Sequence, residues 1–102
     1  MAKIVSRGKK TWKDGSVMTY RITDDGILYV SGVLCDDCTV NIKSKASFHK
    51  LIVEEGVTSI GNSSFYGFKN LEEIILPSSL TSIGNKAFMR CEGLKEIVKI
   101  QL

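Results

Sequence analysis

A chain of 102 residues, 43% hydrophobic and 25% charged, is the size of one small soluble domain; it buries about 60–70% of its unfolded surface, too little to enclose a large active site. Its formal charge of +3 is unevenly placed, because Lys3, Arg7, Lys9, Lys10 and Lys13 fall in an opening arm without a single acid, whereas basic residues and glutamates balance from Phe48 onward. No apolar run reaches the roughly 20 residues of a bilayer span, and the first residues lack the apolar stretch of a secretory leader, so a cytoplasmic setting is expected, or a cell-surface one if the chain is a piece of a longer protein.

The basic arm carries Ile4 and Val5 as its sizeable apolar pair and is expected either to fray or to lie along the first strand. Its charge suits a solvated tail, or contact with an acidic partner or a phosphate backbone. Val17–Ile22 and Ile27–Ser31 then read as a β-hairpin, being β-rich runs separated by Thr23-Asp24-Asp25-Gly26, which has the chemistry of a tight reversal. Lys13-Asp14-Gly15-Ser16 supplies a second turn that folds Trp12 back on the hairpin. Trp12, Tyr20 and Tyr29 mimic a base-stacking platform beside the arm, although their polar-tipped rings suit the half-buried edge of a cap better.

Cys35 to Lys45 reads as a polar connection, with Val40 and Ile42 the inward pair of one more short strand. Cys35-x-x-Cys38 is half of a zinc site that His49 and Cys91 could complete, but zinc sites normally bring a second local ligand pair and these two residues stand apart. Nothing supplies the helix that a redox C-x-x-C needs. Reduced thiols are therefore expected, in keeping with an odd cysteine count, and no cofactor or metal is expected.

From Phe48 the chain repeats itself. Phe48-His49-Lys50-Leu51-Ile52-Val53 returns as Leu71-Glu72-Glu73-Ile74-Ile75-Leu76 and as Leu94-Lys95-Glu96-Ile97-Val98-Lys99, at a step of 23. Thr58-Ser59-Ile60-Gly61-Asn62 with Phe65 returns as Thr81-Ser82-Ile83-Gly84-Asn85 with Phe88. A fixed period without insertion means stacked coils, each a strand pairing in parallel with its copy. Val57–Ile60 and Leu80–Ile83 are expected as second strands bent at Gly61 and Gly84. Asn62 and Asn85 are then expected as N-caps of a helical or 3₁₀ turn that returns Phe65 and Phe88 to the core.

Leu71 through Leu94 reads L-x-x-I-x-L-P-x-S-L-T-S-I-G-x-x-A-F-x-x-C-x-x-L and resembles the BspA-like leucine-rich repeat family. The copy at Phe48 departs by Glu54 for the proline and Phe68 for the cysteine, and the last puts Lys99 at an apolar position. Trp12 and Asp25–Gly32 look like the leader hairpin that often precedes such repeats. The resemblance implies a mainly β fold: a short right-handed leucine-rich-repeat solenoid with parallel strands and 3₁₀ or helical turns, capped by an N-terminal β-hairpin. It also implies a binding scaffold of bacterial surfaces or of protist and mobile-element proteins, with no shared catalytic residues.

The expected organisation is one structural domain, with arm and hairpin cap over 1–47, full copies at 48–70 and 71–93, and a partial third at 94–102. Outward strand positions form two rows, Ile52, Ile75 and Val98 beside Lys50, Glu73 and Glu96. An aliphatic row flanked by charges has the make-up of a protein-binding face. The function expected is thus non-enzymatic binding of a partner protein. The alternatives are a stand-alone phage or mobile-element inhibitor of a host factor, and a nucleic-acid or acidic-surface binder led by the arm. The strand around Leu94–Leu102 is left as an edge that Lys99 and Gln101 blunt or that pairs with a second chain. Against catalysis, His49 stands where the other copies hold Glu72 and Lys95, and Ser63 and Ser64 have no base at a predictable distance.

Overall fold

The structure, a computed structural model, describes residues 2–39, 42 and 48–100. Among them are β-strands and turns but no helix, and no segment is a helix long and apolar enough to cross a membrane. Strands β1 (Ile4–Thr11), β2 (Val17–Thr23) and β3 (Ile27–Gly32) run antiparallel. Asp14 shapes the first reversal, its carboxylate accepting the N–H and hydroxyl of Ser16, and these bonds hold its carboxyl below the usual carboxylate range. Gly26, with φ at +84°, shapes the second. The basic arm does not fray at Ile4–Thr11. It is a strand, and the Lys3 N–H is tied to the Asp24 carboxylate at 3.1 Å.

On its other side β3 pairs in parallel with β4 (Lys50–Val53). A second wall begins with β5 (Ser59–Ile60), followed by β6 (Glu73–Leu76), β7 (Ser82–Ile83) and β8 (Glu96–Lys99). The main sheet has six strands in the order β1-β2-β3-β4-β6-β8, and β5 and β7 form a separate parallel pair. Leu51, Ile74 and Ile97 occupy neighbouring rungs.

Ile27 pairs with Lys50 at the same step that relates Lys50 to Glu73, so β3 is itself a rung of the parallel array. The chain after it follows suit. Leu34 bridges to Ile60, Gly61 N–H donates to Leu34 O at 2.8 Å, and Asp37 N–H donates to Asn62 O at 3.0 Å. What reads as a polar connection at Cys35 is therefore the wall of an earlier coil. Its partners lie 26 residues on rather than 23, and that offset breaks the visible period. Ile42 is buried in a turn rather than in a strand, and its expected companion Val40 lies outside the described residues.

The helical or 3₁₀ turns expected after the glycines are instead runs of non-helical turns at 62–67 and 85–90. Ser63 and Lys86 take φ of 55° and 60°, which a right-handed helical turn excludes. The amides that such a turn would direct along the chain point across it: Ser63, Phe65 and Gly67 N–H donate to the carbonyls of Asn85, Ala87 and Met89 at 3.0, 2.8 and 2.8 Å. Nor is Asn62 an N-cap. Its Oδ1 accepts the Asn85 N–H at 2.7 Å, while its own N–H donates to the Asp36 carboxylate at 2.7 Å, so these side chains stitch one coil to the next.

The core runs unbroken from Met18 and Ile22 to Ala87 and Cys91. Leu28, Leu51 and Ile74 are fully buried on successive rungs, but Ile97 on the next is 49% exposed. Ile60 and Ile83 repeat the contrast at 2% and 47%. A further layer of backbone is what separates the two conditions, and among the described residues none lies beyond β8.

Candidate functional site

The alternation of buried and half-exposed residues along β3, β4 and β6 sends every second side chain outward. In-register pairing aligns those side chains across the sheet as Tyr29, Ile52, Ile75 and Val98, and beside them as Ile27, Lys50, Glu73 and Glu96. All six docking residues expected from the repeat thus share one face. Lys50 and Glu73 approach to 3.7 Å across the rungs; a pair of partly exposed side chains at this distance adds little stability.

The face extends further than the repeat alone indicates. Arg21 lies opposite both Tyr29 and Arg7, its guanidinium 4.0 Å from the Tyr29 ring centroid. It also donates to both carboxylate oxygens of Glu54, at 2.9 and 3.3 Å. The outer row therefore passes from basic (Arg7, Arg21) through aromatic (Tyr29) to aliphatic. A signal for the missed members was present, since Tyr29 and Ile27 stand one repeat step before Ile52 and Lys50.

The three rings that could stack bases are otherwise engaged. The Trp12 indole N–H donates to Val33 O at 2.8 Å, and Tyr20 lies under Gly8, where an added Cβ would meet its ring at 2.7 Å. Tyr29 lies beneath Arg21.

The four residues considered for zinc are spread through the fold. Cys38 and Cys91 are buried and Cys35 is half-buried; the Cys91 thiol donates to Phe65 O at 3.1 Å, and the His49 imidazole covers Gly26. Among the described residues no three His, Cys, Asp or Glu side chains converge as a metal site requires. Burial pushes the Cys38 thiol up from its ordinary value, leaving less thiolate at a given pH. An aromatic disulfide reagent at pH 8 should accordingly titrate Cys35 first, Cys38 at least about tenfold more slowly, and all three thiols only in denaturant.

The family model described as "BspA type Leucine rich repeat region (6 copies)" matches residues 41–101, a span that holds fewer than three copies at a step of 23. A solved leucine-rich repeat protein from Eubacterium ventriosum is similar, with a TM-score of 0.70 and 26% identity over 91% of this chain and 26% of its own. A leucine rich cell surface protein from Faecalibacterium prausnitzii superposes with a TM-score of 0.55 at 18% identity, over 93% of this chain and 33% of its own, a likeness of fold. The chain spans about a quarter to a third of the length of these two proteins. No curated protein matches it significantly.

Proposed function

The chain belongs to the BspA-type leucine-rich repeat family, and from that membership we propose that it acts by binding, as a non-enzymatic module that offers its outer strand face to a partner protein. In this reading β1 and β2 cap a short solenoid whose first rung is β3 and whose later coils carry Lys50, Ile52, Glu73, Ile75, Glu96 and Val98 to the contact. The observation that carries it is the aliphatic row Ile52–Ile75–Val98, aligned by strand register and flanked by Lys50, Glu73 and Glu96. Apolar side chains at the centre of a patch supply affinity, and charges at its margin supply selectivity. Ser64 is a poor nucleophile: it is buried and its hydroxyl donates to Gly61 O at 2.7 Å.

Affinity purification with the intact chain, followed by mass spectrometry, would name the partner. Combining Glu73→Lys with Ile75→Asp should then weaken its capture at least about thirtyfold, as losing one central anchor does, with the far-ultraviolet spectrum unchanged. Undiminished capture by the variant would count against this face.

A further inference from the structure

We infer that the free edge of β1 receives an extended acidic segment of another protein as an added strand, at a place separate from the aliphatic row. Two features coincide there. Among the described residues β1 is an outer strand of the main sheet and pairs with β2 alone, so every second residue turns a backbone N–H and C=O away from the sheet. It is also eight residues long and carries Arg7, Lys9 and Lys10, with Lys3 and Lys13 at its flanks and no acid before Asp14.

Arg7 and Lys9 are two residues apart, exposed, and on the same side of the strand. An incoming strand with carboxylates two residues apart would set them against these cations while its main chain bonds to β1. A hollow of about 370 Å³, lined by Arg7, Lys9, Thr19 and Arg21 among others, opens beside them.

Charge chooses among the occupants. A second β1 would bring like cations together, which rules out this edge of another copy. Nucleic acid would satisfy the cations, but it lacks the alternating donors and acceptors of a peptide backbone. It would also find the rings of Trp12, Tyr20 and Tyr29 already engaged.

The test titrates the intact chain with a ten-residue peptide of alternating Glu and Thr, followed by the fluorescence of Trp12, the single tryptophan. Lys10 lies 5.2 Å from its ring centroid, at the end of β1. Saturable binding is expected, weakening at least about tenfold from about 50 to 300 mM salt, together with slowed hydrogen exchange at alternate β1 amides. Arg7→Glu with Lys9→Glu should weaken it at least about tenfold, and Arg7→Gln with Lys9→Gln should weaken it less while leaving the strand neutral. Glu73→Lys with Ile75→Asp should leave it unchanged, which separates this edge from the aliphatic part of the outer face. Absence of binding would overturn the inference and leave the lysines as guards against edge pairing. So would equal binding by a ten-residue oligothymidylate, or peptide binding without protection of β1 amides, since either marks general attraction of polyanions.

Discussion

Phe65→Ala should destabilise the fold by about 4 kcal/mol and lower its melting temperature by about 20 °C, given about 4–8 °C per kcal/mol for a chain of this size. Phe65 is fully buried. Its ring stacks on Phe88 with centroids 5.5 Å apart and meets Phe68 edge-on at 5.9 Å, and Phe68 in turn meets Phe48 at 5.4 Å. The ring is therefore the middle of an aromatic column that crosses coils, with backbone layers on both sides that cannot close over a cavity. Against a typical total of about 5–15 kcal/mol the loss is large. Phe88→Ala makes the same chemical change one repeat later, where the ring is only partly buried; it should cost about 1–2 kcal/mol, since less apolar area is lost and less tightly packed neighbours relax into the space. Urea denaturation of the two variants measures the difference. Equal losses would mean that position in the stack does not set the strength of the core.

The repeat made the inner spine legible, because Leu51 and Ile74 carry the same apolar chemistry at the same step and the sheet needs no more than that to place them. The first rung was harder to read. β3 keeps the step to β4, but the shorter segment after it shifts Leu34 and Asp36 to an offset of 26 against Ile60 and Asn62, so a period search loses the coil halfway round. β1 was hidden by its charge. Its inward positions are Ser6, Gly8 and Lys10, and the apolar filling on that side comes from the Tyr20 ring lying across Gly8, a cross-strand exchange that no single strand's hydropathy reveals. The role of Asn62 could not be settled locally either. A cap and a coil-to-coil ladder need the same residue, and only the position of the neighbouring coil's N–H decides between them. The docking rows followed from the repeat, whereas Arg21 joined them through antiparallel pairing, which has no periodic trace.

Gly61→Ala should cost about 3 kcal/mol, at the upper end of what overpacking usually does. The bend expected at the repeated glycines turns out to be a matter of room. Neither Gly61 nor Gly84 has a positive φ. A Cβ on Gly61 would stand 2.4 Å from the Cys35 carbonyl carbon and 2.5 Å from Asp36 N, and a Cβ on Gly84 would stand 2.6 Å from Asn62 N. Each obstacle is main chain of the preceding coil, which no rotamer change can move. The coils must part, stretching the bonds from Gly61 N–H to Leu34 O and from Asn62 N–H to Asp36. Gly61 is held on both sides by packed coils. Among the described residues no coil packs on the far side of Gly84, so it can shift outward and Gly84→Ala should cost about 1–2 kcal/mol. Gly56→Ala serves as a control of a different kind: nothing lies within 4 Å of its Cβ position, but its φ is +100°, so backbone strain of about 1 kcal/mol is the expected penalty. Hydrogen exchange at the Asn62 and Asn85 amides should accelerate in the two wall variants and stay unchanged in the control. If Gly61→Ala proved no costlier than Gly56→Ala, the close approach of coils at this wall would not be what requires glycine.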